Sequence, residues 1–417
     1  MIQLIRGFKD ILPGEVELWQ RIESTAVALF RDFGFDEIRI PVMERAELFA
    51  RSIGEHTDIV EKEMYTFPDR KGDLLTLRPE ATASVVRAYI QHGMHARDPV
   101  RKLYTIGPMF RRERPQKGRY RQFHQINAEV FGVASARVDA QLVFYLTTLM
   151  ERLRVEDVAV HLNSLGCPRC RPAFREALLA FLRGRADRLC ADCVRRMDKN
   201  PLRALDCKVP GCREATEGAP ALLDHLGEEC RDHFRTLTDA LDALNVPYVI
   251  NPRLVRGLDY YTRTTFEVLT GSLGAQSAVA GGGRYDGLME LLGGPALPAI
   301  GFAVGLDRLA ELVGIRAADV RPRPDLYIAA LGESCQSKAF QWLAELGKAG
   351  IRAEMDFEDR SLKSQMKRAD RLDARFVLIF GENEEKSGEA LLRDMATKDQ
   401  EAVPVENLVA TLRERLA

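Results

Sequence analysis

Residues 106–132 read IGPMFRRERPQKGRYRQFHQINAEVFG, and the fold turns on how this stretch is read. The segment 103–110 is mostly apolar or β-prone, which predicts a strand. A loop then carries Arg111, Arg112, Arg114, Lys117, Arg119 and Arg121 against a single acid, Glu113. Pro115 and Gly118 mark that loop as a turn rather than a helix. Beyond it, Phe123, Gln125, Asn127 and Glu129 alternate with His124, Ile126, Ala128 and Val130. Side chains of a strand alternate faces, so Gln125, Asn127 and Glu129 share one side. Guanidinium forks bind phosphate oxygens, and donors and acceptors held on a strand read a polar small molecule. A solvated hairpin with one wet face satisfies the same residues, and both readings stand on this stretch alone.

Composition narrows the class. A hydrophobic content of 46% and a charged content of 29% over 417 residues are those of a globular protein with room for two or three domains. No apolar run approaches the roughly 20 residues that span a bilayer. Residues 1–15, MIQLIRGFKDILPGE, lack the apolar core of a signal peptide, so a cytoplasmic protein without membrane attachment is expected. The net charge of −1 does not announce nucleic acid, but basic residues gather at 111–121, 183–203 and 360–375.

In order along the chain, 13–34 reads as a helix with apolar Val16, Trp19, Ile22, Ala26, Leu29 and Phe30, ending at Gly34. FDEIRIP, 35–41, alternates like an edge strand. LLTLRPEATASVVR, 74–87, reads as a strand, Pro79, and a helix from near Ala81 that places Glu80 and Thr82 at its N-terminal end. A carboxylate there caps the helix or meets an ammonium group. A long helix is expected over 133–154 and a strand over 158–162. LVRGLDYY, 254–261, opens an expected hairpin continued by 264–270. AGGGRYDGL follows at 280–288, and PAIGFAVGLDRLAELV, 298–313, reads as strand and helix. After the linker 317–324, strands at 326–331, 351–357 and 376–380 alternate with helices at 336–348, 362–372 and 406–416, which predicts a mostly parallel or mixed sheet. Lys363, Lys367 and Arg371 share one face of the middle helix.

Seven of eight cysteines fall within 167–230, a stretch poor in strand patterns that reads as a mainly helical insertion over 167–245. Cys167, Cys170, Cys190 and Cys193 form two C-x2-C pairs with the spacing of a structural four-thiolate zinc site. Cys207 and Cys212 offer a further pair, and unmetallated buried thiols are the alternative.

These stretches resemble the histidyl branch of the class II aminoacyl-tRNA synthetases over nearly the whole chain. Residues 13–41, 103–132 and 298–313 resemble class motifs 1, 2 and 3. LVRGLDYY and AGGGRYDGL resemble the two signatures of the histidyl family, and RPEATA matches a run found there. No P-loop, HIGH, KMSKS or HExxH pattern competes. The resemblance implies an α+β fold: a catalytic core over 1–320 with an antiparallel sheet flanked by helices, the insertion within it, and a C-terminal α/β anticodon-binding domain over 325–417. It implies ATP with Mg2+, L-histidine and tRNA(His) as ligands, and a homodimer built through motif 1. Arg111 and Arg256 are the implied catalytic arginines, with Arg119 and Arg308 also on ATP. Glu80 and Thr82 would hold the α-amino group, and Gln125 the amino acid's polar end. Glu129 and Tyr261 would hold the imidazole nitrogens, beside Tyr260, with Tyr285 closing the pocket. The alternative is a catalytically silent regulatory paralogue of the ATP phosphoribosyltransferase system.

Overall fold

A computed structural model of the chain describes residues 1–54, 57–116, 118–271 and 278–416. Lys117 of the basic loop lies outside them. The chain forms two compact units, Met1–Val320 and Arg321–Ala417.

The first unit is built on an eight-stranded sheet. Its order is Asp36–Glu37, Arg101–Phe110, Gln122–Phe131, Ala299–Gly305, Ala278–Arg284, Thr262–Thr270, Val158–Ser164 and Tyr248–Ile250. The six central strands are antiparallel to their neighbours, and the two short edge strands pair in parallel. Alternation along Gln122–Phe131 sorts its residues onto two faces. Ile126, Ala128 and Val130 pack into a core with helices Val16–Asp32, Ala136–Arg152 and Glu228–Ala243. Trp19, Ile22, Ala26, Leu29 and Phe30 supply the first helix's part, and full burial of a side chain as large as Ile22, Leu29 or Phe30 stabilises the fold by about 1.5–3 kcal/mol. Gln125, Asn127 and Glu129 therefore face the other way, where helix Thr82–Gln91 and the insertion cover the sheet.

Several expected elements take other forms. The strand at 35–41 is reduced to Asp36–Glu37, because the carbonyls of Ile40 and Pro41 accept hydrogen bonds from Arg78 Nη1 at 2.7 and 3.2 Å. LVRGLDYY is not a strand: it turns against the end of helix Ala46–Ile53, with Asp259 N donating to the Ile53 carbonyl at 3.2 Å. The hairpin partner of Thr262–Thr270 is Ala278–Arg284, so the triple glycine lies inside a strand. A methyl on Gly281 would come within 2.5 Å of Arg256 Nη1, and one on Gly282 would strike the Gly301 carbonyl. Close approach outweighs glycine's poor strand propensity. A small sheet of Met43–Arg45, Leu74–Leu77 and Tyr65–Pro68 had only its 74–77 strand foreseen.

The insertion is helical, in short pieces from Arg171–Arg183 to Glu228–Ala243. The helix expected near 222–244 breaks into a 3-10 turn, Leu222–His225, and Glu228–Ala243; between them Gly227 N donates to Cys170 Sγ at 3.3 Å.

The second unit holds a mixed sheet ordered Ala353–Met355, Leu326–Ala330, Phe376–Phe380, Glu389–Asp394, Gln400–Pro404. The first three strands are parallel. The last two form an antiparallel hairpin that sequence alternation did not suggest. Helix Leu362–Arg371 buries Gln365 and Ala369 and leaves Lys363, Lys367 and Arg371 exposed.

Candidate active site

Two groups of side chains meet on the inner face of the Gln122–Phe131 strand. The deeper one centres on Glu129, which is 1% exposed. Its Oε1 accepts from Thr82 Oγ1 at 2.7 Å and its Oε2 from Tyr285 Oη at 2.5 Å. Burial raises its carboxyl to about 8, against two hydroxyl donors that favour the ionised form. Gly301 faces Glu129 across the ladder, and a methyl there would collide with the carboxylate. Glu80 is also buried and its pKa raised by burial; its oxygens accept from Thr82 N at 2.7 Å and Ala83 N at 2.9 Å. It thus caps helix Thr82–Gln91 and keeps one lone pair on each oxygen for another partner. Tyr260 packs edge-on to Tyr285 with centroids 5.7 Å apart and tilts against Tyr261 at 4.7 Å. Burial raises the pKa of all three tyrosines, so they are neutral donors.

The second group lines a cavity of about 340 Å³ that includes Arg111, Arg119, Gln125, Arg256 and Arg308. Each arginine is held. Arg111 Nε donates to the Pro79 carbonyl at 2.9 Å, its guanidinium lies 5.3 Å from the Phe123 ring, and Nη1 is 3.7 Å from Glu113. Arg119 pairs with Glu113. Arg256 pairs with Glu267 and sits 5.5 Å from the Tyr261 ring. Arg308 donates to the carbonyls of Gly118 at 3.2 Å and Ala278 at 2.7 Å. Burial lowers the pKa of Arg111, Arg119 and Arg308; for Arg256 burial acts the same way but Tyr261 and Glu267 outweigh it and the pKa rises. All four stay charged at neutral pH. Gln125 Oε1, Asn127 Oδ1 and Arg256 Nε are buried with no hydrogen-bond partner among the described residues. A four-arginine wall with acceptors left open is chemistry for a polyanion joined to a polar group.

Every side chain proposed for these ligands from the sequence is drawn into one of the two groups. The deeper group does not line the cavity, because its members satisfy one another. Sequence reasoning missed Glu113 and Glu267 as clamps on the arginines. Glu113 had a signal, as the lone acid in a basic loop. It also assigned nothing to Arg284 of GGGRYDG, which is buried and bonded to Asp139 at 2.6 Å. Asp139 also accepts from Thr264 Oγ1 at 2.6 Å and meets His233 Nε2 at 2.9 Å, which ties the strand to two helices.

A second cavity, of about 360 Å³, shares Ile59, Arg111, Glu113, Arg119 and Gly257 with the first. The insertion lines its far side with Arg195, Arg196, Lys199, Asn200 and Arg203.

The cysteines correct the expected ligand set. Cys167, Cys170, Cys190 and Cys193 do not converge. Cys190 and Cys193 group with Cys207 and Cys212, while Cys167 and Cys170 group with Cys230. Two C-x2-C pairs close in sequence fall to different partners because the helix Arg171–Arg183 runs between them.

A family model described as histidyl-tRNA synthetase matches residues 7–309, and one described as anticodon binding domain matches 325–415. The histidine–tRNA ligase of Desulfatibacillum aliphaticivorans is 64% identical over 98% of this chain and 97% of its own. That of Desulforapulum autotrophicum is 62% identical over 98% of this chain and 96% of its own. The crystal structure of apo S. aureus histidyl-tRNA synthetase superposes with a TM-score of 0.83 at 34% identity, covering 99% of this chain and 100% of that one.

Proposed function

The chain belongs to the histidyl-tRNA synthetase family, and we propose from that premise that it ligates L-histidine to tRNA(His) in two steps. A histidine carboxylate oxygen attacks the α-phosphorus of ATP; pyrophosphate leaves and histidyl-adenylate forms. A hydroxyl of the tRNA's 3′-terminal ribose then attacks the acyl carbon, and AMP leaves. The observation that carries this reading is the shared strand face, with a buried, hydroxyl-bonded carboxylate beside a four-arginine cavity.

Glu129 and Tyr261 hold the imidazole nitrogens, one as acceptor and one as donor, which selects a neutral tautomer. Tyr260 and Tyr285 wall the ring. Glu80 and Thr82 receive the α-amino group, and Gln125 orients the polar end. Arg111 and Arg256 stabilise charge on the α-phosphate as it develops. Arg119 and Arg308 hold the rest of ATP, which arrives as its Mg2+ complex. The second cavity admits the 3′ end of the tRNA past the basic wall of the insertion. The 325–417 unit reads the anticodon arm, with Lys363, Lys367 and Arg371 as its exposed basic stripe. The enzyme works in the cytoplasm as a homodimer, and a structural zinc ion sits in the insertion.

The regulatory alternative is not favoured, since ligase relatives cover both units. ATP–pyrophosphate exchange, run without tRNA and with each amino acid in turn, tests the reading. Exchange with histidine alone is expected; exchange with none returns the silent paralogue. Removing 325–417 should spare exchange and cripple charging, and an equal loss of both would remove the anticodon role from that unit.

A further inference from the structure

We infer that Cys190, Cys193, Cys207 and Cys212 bind one zinc ion as a closed four-thiolate site, and that this ion shapes the basic wall of the second cavity. The four sulfurs lie within 4.8 Å of one another. Cys190 Sγ and Cys207 Sγ are 3.9 Å apart. Sulfurs at the corners of a regular tetrahedron with zinc–sulfur bonds of about 2.3 Å are about 3.8 Å apart, whereas a disulfide needs about 2.05 Å. Cys190 N donates to Cys212 Sγ at 3.0 Å, the kind of backbone support that orients a thiolate ligand. With four sulfurs the shell has no open position for water, so the ion is structural.

The location says what the ion does. The thiols come from the start and middle of the six-residue helix Ala191–Arg196, the turn after Pro201–Ala204, and the six-residue helix Pro210–Ala215. Helices this short do not hold themselves in water. Their own apolar contribution is modest: Leu189, Ala204, Leu205 and Ala215 are buried, and Met197 and Leu202 are partly so, against the helix Arg171–Arg183. Yet residues 191–204, which span the first two of these segments, carry Arg195, Arg196, Lys199 and Arg203 into the cavity wall. An ion that clamps both segments fixes those four cations relative to Arg111 and Arg119. Cys167, Cys170 and Cys230 form a second group one thiol short of such a shell.

The test begins with metal analysis of the full chain purified without chelator. One zinc per chain is expected, lost in Cys207→Ser/Cys212→Ser and kept in Cys167→Ser/Cys170→Ser. A second ion lost only in the latter variant leaves the assignment standing. Zinc absent from the wild-type chain, or lost only with Cys167 and Cys170, overturns it. X-ray absorption on the wild-type protein should show four sulfur neighbours at about 2.3 Å and no lighter ligand. Because a serine variant can misfold for its own reasons, the wild-type protein is also stripped of metal and followed by amide exchange. Protection should drop over 190–215 and persist in the sheet; unchanged protection there would remove the ion's role in shaping the wall. None of these readouts depends on the proposed ligation reaction.

Discussion

The two halves of the site meet at the strand Gln122–Phe131 and are prepared in opposite ways. Around Glu129 the donors and acceptors are already matched within the protein: Thr82 and Tyr285 serve the carboxylate, and water is excluded. Around Arg111, Arg119 and Arg256 the partners are carboxylates, Glu113 and Glu267, and the side chains keep 18–38% exposure. The first arrangement fixes shape and polarity before a ligand arrives, which suits discrimination between similar amino acids. The second holds charge in place while leaving it available, which suits stabilisation of charge that exists only during reaction. In the proposed reaction the buried group would set specificity and the open cavity reactivity.

The largest effect should come from Glu129→Ala, which attacks the specificity half. We expect histidine-dependent pyrophosphate exchange to fall by about 10⁴ while far-UV circular dichroism stays native. Near-normal exchange would dissolve the distinction between the halves. Next comes Arg256→Ala, expected to lower kcat by about 10²–10³ with a much smaller change in KM for histidine. If KM rose and kcat held, Arg256 would belong to ground-state binding instead. Gly301→Ala is smaller and sharpens the first half: it pushes a methyl into the Glu129 carboxylate. Overpacking of this kind costs about 1–3 kcal/mol, so chemical denaturation should show that loss together with a raised KM for histidine.

The last effect is in the pH dependence of stability. The Glu129 carboxyl is raised from 4.5 to about 8 in the fold. Between those values the folded chain holds a proton that the unfolded chain has released. Stability therefore falls as pH rises through that window and levels off above it. Asp307, raised by burial to about 6, acts with the same sign. Glu129→Gln should flatten the fall in Tm between pH 5 and about 8, and an unchanged slope would mean that the carboxylate is ionised throughout, held by its two hydroxyl donors.

How legible the molecule was depends on the range of the interaction concerned. The alternation that put Gln125, Asn127 and Glu129 on one face needed only the two-residue period of a strand. The helices Val16–Asp32 and Arg171–Arg183 followed from apolar spacing of the same local kind. Legibility ended where a distant segment overrode local preference. Gly281 and Gly282 form a strand because Arg256 and Gly301 press against them from elsewhere in the chain. LVRGLDYY gave up strand geometry to bring Asp259 against Ile53.

By itself the sequence determined the α+β class, the family, and which residue types were available for an anionic ligand and a polar one. Composition, periodicity and motif spacing are properties of neighbours along the chain, and they survive without coordinates. Only the tertiary structure decided that Glu113 and Glu267 clamp the arginines and that Arg284 braces the scaffold. It alone divided the cysteines into Cys190–Cys193–Cys207–Cys212 and Cys167–Cys170–Cys230. Among them Arg256 and Glu267 are 11 positions apart, and Arg284 and Asp139 are 145. Spacing along the chain sets no distance between such residues; packing of the elements that carry them does.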